Sequence, residues 1–356
     1  MPNLSSSAVT SQLPSESCCR SRKGSVLVLS LWTLIFLAVM AVNINLGIRE
    51  RISLLGKLEN RSQLQFIAEA GTKTAIAALK LDWQRSNQNY TSNAKSYRHN
   101  NRELFENIAL GTGKCSIRYS SFDDLHQRRE DQMFGMVDEE SKININTQDR
   151  LVLERLFEAV LPLTPSECHE LAENILRWRG EGEDRTSRDD EEYYAHLEFP
   201  YRPKQAPFEM REELLLVRGM TEEIYDQLIP YITVYGDGGV NINTATVVVL
   251  NALGLTEDTI KKILEVRRGL DGLEATPDDF IFLKTFDIVS DLEQFVELRK
   301  EEIKEIDDLN AADKLKTNSY IYLIQSSAQL SYAPLRLMAQ CVYNLRENKI
   351  EYFREN

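Results

Sequence analysis

Fifteen residues near the middle of the chain, GEGEDRTSRDDEEYY from Gly180 to Tyr194, carry seven carboxylates: Glu181, Glu183, Asp184, Asp189, Asp190, Glu191 and Glu192. Hard oxygen donors on an acidic loop are what a calcium ion takes. The spacing lacks both the D-x-D-x-D-G core and the closing Glu of an EF-hand, and charge alone describes a solvated loop. Two glycine turns point to a different chemistry. Leu253-Gly-Leu-Thr-Glu-Asp-Thr-Ile260 and Leu216-Val-Arg-Gly-Met-Thr-Glu-Glu-Ile224 each read as a tight turn between short helices, in the manner of a helix-hairpin-helix unit. In DNA binders such turns present backbone amides to phosphates, with Lys or Arg in support. Here Glu222, Glu223, Glu257 and Asp258 surround the turns and would repel phosphate, which favours a protein-packing scaffold. The four histidines (His99, His126, His169, His196) lie in separate segments, and His169 beside Cys168 has no G-x-S-x-G or comparable nucleophile motif near it. No catalytic residue is assigned.

The totals point the same way. At 356 residues the chain can hold two domains, or one domain with a large insertion. A formal charge of -13 argues against a surface built for nucleic acid. Cys18 and Cys19 are adjacent near the start, and Cys115, Cys168 and Cys341 are scattered, with no CxxC metal spacing.

Something must position these groups, and the first candidate is the stretch RKGSVLVLSLWTLIFLAVMAVNINLG, Arg22 to Gly47. From Val26 to Val42 its only polar side chains are Ser30 and Thr33, and Asn43 to Leu46 extend the run to the roughly 20 residues that span a bilayer. Arg20, Arg22 and Lys23 precede it, so the positive-inside rule keeps the short tail in the cytoplasm and puts the rest of the chain across the membrane. An ordinary secretory signal would be shorter and would end in a small-x-small site, which is missing here. Lys23-Gly24 at the front of the run resembles the junction at which prepilin-like proteins are cut after the glycine. That cut would make Ser25 the new N-terminus and keep the whole helix as an anchor. The leader carries three of the 42 basic and one of the 55 acidic side chains, so its loss would take the charge from -13 to -15.

Beyond the membrane, Leu54, Leu58, Leu64, Ile67, Ala68, Gly71, Ala75, Ala78 and Leu79 recur at helical steps, predicting one long helix. Ser86 to Asn101 reads as a loop. GTGKCSIRYSSFD and FGMVDEESKININ read as strands, as do SYIYLIQSSAQL, PLRLMAQCVYNL and KIEYFRE near the end. Between these groups of strands the pattern is helical. There KININTQDRLVLERLF and GVNINTATVVVLNAL share the core N-x-N-T followed by an apolar helix, which marks an internal repeat. The Asn or Thr before each apolar turn reads as a helix N-cap. Strands split by a helical block predict one α+β domain with an all-α insertion, since the flanking strands can share one sheet.

Taken in order, the Lys23-Gly24 junction, the apolar helix, AEAGTKTAIAAL, both N-x-N-T helices and YRPKQAPFEMREELLLVRGM resemble the type II secretion minor pseudopilins of the K type, the general secretion pathway protein K family. The resemblance covers nearly the whole mature chain. It implies a pseudopilin α+β fold with a long N-terminal transmembrane helix, an antiparallel sheet and a large all-α (SAM-like, helix-hairpin-helix) insertion. The expected segments are a leader over 1–24, the helix over 25–85, the first part of the α+β domain over 86–146, the insertion over 147–310 and closing strands over 311–356. It further implies prepilin peptidase cleavage between Gly24 and Ser25, and a single-pass place in a bacterial inner membrane with the bulk of the chain periplasmic. The expected role is at the tip of the pseudopilus, supporting assembly and export without catalysis. The implied partners are minor pseudopilins of the I and J types, the major pseudopilin, the inner-membrane assembly platform, and the secretin or cargo. Prepilins carry Glu at the fifth mature position, where this chain has Leu29. That departure fits a subunit restricted to the tip, because an internal subunit uses the Glu to neutralise a neighbour's N-terminal amine in the apolar core. The family also binds calcium in its insertion, which makes Glu181, Glu183, Asp184, Asp189, Asp190 and Glu191 the expected ligands. Arg177 and Arg179 stand where the family approaches the metal with acids, which puts the coordination in question. The rival function is a membrane-tethered helix-hairpin-helix DNA-binding protein of a competence system.

Overall fold

The structure is a computed structural model that describes residues 23–88, 100–122, 128–181, 188–274, 276 and 278–356. The chain divides into two compact units, Met1–Glu59 and Asn60–Asn356. Helix α1, Lys23–Gln88, runs through both, as the recurring apolar steps predict. In the first unit its large apolar side chains from Val26 to Leu58 are exposed, Leu54 and Leu58 among them. Among the described residues α1 is the one helix long and apolar enough to cross a membrane.

In the second unit α1 becomes one-sided. Leu64, Ile67, Ala68, Gly71, Ala75 and Leu79 are buried along one stripe, while Phe66, Lys73 and Leu81 stay exposed. This is the three- and four-residue period of an amphipathic helix. The stripe packs on an antiparallel sheet. Gly71 sits where a Cβ would come within 2.5 Å of Ser326 Oγ and 2.6 Å of Cys115 Sγ, so only glycine allows the helix this close.

The chain then passes through α2 (Arg102–Phe105), β1 (Ile108–Leu110), β2 (Gly113–Ile117), the separate hairpin of β3 (Tyr119–Phe122) and β4 (Arg128–Met133), and the short β5 (Val137–Asp138). A helical insertion follows, from β6 (Ile143–Asn144) through α3 (Arg150–Val160), α4 (Pro165–Trp178), α5 (Arg188–Ala195), α6 (Glu222–Leu228) and β7 (Ile232–Thr233). It continues through β8 (Val240–Asn241), α7 (Val247–Leu253), α8 (Glu257–Arg267), α9 (Ile288–Glu293), α10 (Lys300–Ala311) and β9 (Leu315–Lys316). Three long strands close the chain: β10 (Ile321–Leu330), β11 (Arg336–Asn344) and β12 (Lys349–Glu355). The sheet order is β1-β2-β10-β11-β12, with β5 pairing the first half of β10. Strands from both sides of the insertion thus share one sheet.

One face of the sheet, with Tyr322, Ile324 and Cys341, packs on Ala75 and Leu79 of α1. The other, with Ile321, Leu323 and Val342, packs on Tyr235 from the insertion. The insertion has its own core, centred on Leu153, Leu156, Ile175, Leu228, Leu250 and Ile263.

FGMVDEESKININ does not make one strand. It splits into β5, a 3-10 turn at Glu139–Ser141, and β6, which pairs in parallel with β7 and leaves the main sheet. The insertion is helical but also holds two short parallel pairs, β6 with β7 and β8 with β9. Of the Asn or Thr expected to cap the helices, Thr246 does so for α7, while the N-x-N-T asparagines do not. The N-caps are Asp149 for α3 and Thr246 for α7, each accepting from the backbone amide three residues on.

Candidate functional site: the anchoring helix and the duplicated insertion

Gly24 and Ser25 fall in the first turn of α1, and Leu29 lies one turn further on with its side chain exposed. No carboxylate interrupts the helix until Glu50. The cleavage junction expected from the sequence therefore lies at the start of the helix.

The insertion is built twice on one plan. In the first copy Asn144 donates through Nδ2 to the carbonyls of Tyr235 and Gly236, and its Oδ1 accepts from the Asn146 amide. Asn146 donates to Phe208 O (2.9 Å) and Val234 O (3.2 Å) and accepts from Phe208 N (2.8 Å). In the second copy Asn241 Oδ1 accepts from the Asn243 amide, while Asn243 donates to Phe282 O (2.9 Å) and Thr317 O (3.0 Å) and accepts from Phe282 N (2.9 Å). A guanidinium closes each loop. Arg179, capping α4, donates to Ile145 O and Gln148 O; Arg267, ending α8, donates to Ile242 O and Ala245 O. Arg179 is thus buried against carbonyls, which explains why an arginine stands at this position.

Between sheet and insertion lie three consecutive buried acids. Asp138 accepts from Asn241, Thr244 and Ser319 side chains and from the Glu140 amide. Glu139 pairs with Lys142 and accepts from Thr233. Glu140 pairs with Lys316 and accepts from the Tyr320 amide. Burial pushes the Glu139 carboxyl up, but Lys142, Arg211 and the Thr233 hydroxyl outweigh it and hold the group below the usual carboxylate range. Buried charges persist only when paired and hydrogen-bonded in this way. Sequence reading missed this junction because Asp and Glu are read as surface residues.

Of the expected calcium ligands, Glu181 is exposed and paired with Arg179 at 2.6 Å. Glu183 and Asp184 lie outside the described residues, as do the side chains of Asp189, Asp190 and Glu191 in α5. Among the described residues no group of three or more Asp, Glu, His or Cys is placed to hold a metal.

The glycine turns form as expected: Gly254 is left-handed between α7 and α8, and Gly219 is left-handed before α6. Their donors are spent internally. The Thr256 amide and hydroxyl both donate to Glu305 Oε2, the Ile224 amide donates to Thr221 Oγ1, and a Cβ on Gly254 would meet Arg155 Nη1 at 2.4 Å. A phosphate would have to displace a carboxylate at the first turn.

The remaining candidates are structural. His169 pairs with Glu154 at 2.7 Å on the surface, and His196 Nδ1 bonds the Glu192 carbonyl. His99 and His126 lie outside the described residues. Cys115, Cys168 and Cys341 are free and buried. Cys115 faces Ala328 of β10, and Cys341 faces Ile324. That register separates the two by two strand spacings and four residues, far beyond disulfide reach.

A long apolar helix whose second half packs on an antiparallel sheet, with a helical insertion between the strands, gives the α+β arrangement expected of a pseudopilin fold. Residues 128–237 match the family model described as type II secretion system (T2SS), protein K. A solved chain from the GspK-GspI-GspJ complex of the enterotoxigenic Escherichia coli type 2 secretion system shares the fold, with TM-score 0.56 and 14% identity over 84% of this chain and 98% of that one. No curated protein sequence matches the chain. The family match falls on the first part of the insertion, and the solved chain shows the shared fold around it. Nothing in the site or the comparisons favours the competence alternative.

Proposed function

We propose that this chain is a type II secretion minor pseudopilin of the K type, cut after Gly24, anchored in the inner membrane by the helix from Ser25, and drawn into the tip of the pseudopilus, where it supports assembly and export across the outer membrane. One observation carries the reading. The exposed apolar face of α1 meets no carboxylate at Leu29, so the chain offers nothing to neutralise a neighbour's amine within a filament. The helical insertion adds bulk that suits an end position better than an internal one. The matched chain was solved with two other proteins, which supports minor pseudopilins of the I and J types as partners. The major pseudopilin, the assembly platform and the prepilin peptidase complete the expected set, with the secretin or cargo at the tip and the bulk of the chain in the periplasm.

The deciding measurement is the N-terminal mass of the membrane-extracted protein made with and without a prepilin peptidase. A peptidase-dependent start at Ser25 is expected; an intact Met1, or a cut beyond Gly47, would sink the reading.

Calcium belongs to the same proposal, held by the acidic run from Glu181 to Glu191. Glu181 joins such a site only by leaving Arg179. A melting temperature that rises with calcium and falls back with a chelator is the expected result, and no change on either addition would remove the ion from the account.

A further inference from the structure

We propose that the second copy of the insertion carries a docking surface for a cationic, apolar polypeptide segment, independent of where the subunit sits in the pseudopilus. The surface lies between α8 and α10. Leu283 is 62% exposed, Phe286 75% and Phe295 59%, and Leu270 in the neighbouring turn is 99% exposed. Exposed apolar side chains gathered in one short segment are what interaction sites on soluble domains offer. The backbone beneath is fixed. Phe282 is clamped by Asn243, Thr317 donates to the Leu283 carbonyl, and Asn310 donates to the Thr285 carbonyl. The Phe280 ring lies 5.3 Å from Phe282 and 5.2 Å from Phe295, tying the exposed ring to the core. Phe282, and through it Phe280 and Phe295, are therefore held in place by the same device that builds the repeat.

Charge selects the occupant. From Gly269 to Leu298 the sequence has eight acidic side chains and one basic, Lys284; Glu274 is engaged by Arg267 and Arg268, which leaves seven. Lys284 lies over the Phe286 ring and within 3.9 Å of Asp287. One turn on, burial and then the Asp287 carboxylate push the Asp291 carboxyl up. An apolar patch in a field of this sign attracts a segment with Lys or Arg flanking its apolar side chains. It repels anionic lipid headgroups and nucleic acid.

The test uses the full chain in zwitterionic nanodiscs with p-benzoylphenylalanine replacing Phe286, or replacing Leu81 on α1 as a second exposed position. The probe is an amphipathic helical peptide of leucine and lysine, set against one of leucine and glutamate in the same pattern. Photocrosslinking at position 286 is expected to favour the lysine peptide by about tenfold, to weaken with salt, and to drop several-fold with Asp287→Asn and Asp291→Asn together. Equal yields with both peptides, or equal yields of the lysine peptide at 286 and 81, would overturn the proposal. Neither result bears on cleavage after Gly24, so the two readings fail separately.

Discussion

Replacing Asn243 by alanine tests the repeat directly. The side chain satisfies three peptide groups: it accepts from Phe282 N and donates to Phe282 O and Thr317 O, all within 3.0 Å. Alanine leaves all three without that partner. A buried group left unsatisfied costs about 1–3 kcal/mol, and because Asn243 is only part-buried, water recovers some of this, so the low end applies to each. The expected loss is about 3 kcal/mol, which lowers the melting temperature by about 6–12 °C for a domain of this size. Asn243→Asp separates hydrogen bonding from packing. It keeps the acceptor but turns both donors into a carboxylate facing two carbonyls, so it should be at least as damaging as alanine. Asn146→Ala, the same position in the first copy, should match Asn243→Ala, while Asn251→Ala within α7 should stay within about 0.5 kcal/mol. Thermal unfolding of the detergent-solubilised chain followed by tryptophan fluorescence reads all four, since Trp178 is buried in the insertion core. A shift below about 2 °C for both Asn146→Ala and Asn243→Ala would refute the clamp.

Gly71→Val should loosen α1 from the sheet by about 1–3 kcal/mol or more, because the new Cβ has no room beside Ser326 and Cys115, whereas Gly56→Ala, with nothing within 4 Å, should be neutral or stabilising; denaturant melts distinguish them. Burial raises the carboxyls of Glu274 and Glu302, but Arg267 and Arg268 hold the first below its usual range, and the Arg299 amide with Lys262 and Arg299 side chains takes the second to about 2. Groups depressed in the folded state contribute stability above the unfolded carboxyl range, near pH 4.3, and lose it as pH falls, so acid unfolding should develop between about pH 4 and 2 when followed by circular dichroism. Glu139→Gln should cost about 3–5 kcal/mol by stranding Lys142, and chemical melts at pH 7 would show it. Burial pushes the Cys115 and Cys341 thiols up to about 11 and 12, so neither should react with a maleimide at pH 8 until the chain unfolds, as mass spectrometry would report.

The parts legible in the sequence were those whose pattern repeats locally. The apolar run and the steps from Leu64 to Leu79 gave α1 its length and its buried stripe, and richness in Tyr, Ile, Val and Leu gave β10 and β11. The N-x-N-T repeat was visible because both copies keep the same distance from Asn to helix. Its purpose was not, because the partners of Asn146 lie as far off as Phe208 and Val234 and no local pattern names them. Asp138, Glu139 and Glu140 stayed hidden for the same reason, since their partners arrive from Thr233, Asn241, Lys316 and Ser319. The Arg179 guanidinium, which looked like a departure in a metal site, has its reason in the carbonyls of Ile145 and Gln148. An arginine followed closely by glycine after each second helix was the available signal.

Asp138 and Tyr322 face each other across β5 and β10, with Val137 opposite Leu323. The insertion thus leaves and re-enters the sheet at neighbouring points, and topologically it is the loop of a hairpin grown to the size of a domain. Loop-closure entropy rises only with the logarithm of length, so such growth asks little of the sheet that hosts it. The same closeness makes the insertion removable: a short turn from Asp138 to Ile321 would restore a plain hairpin and leave α1 seated on its strands. A lineage could gain, exchange or enlarge this module without renegotiating the body that carries it.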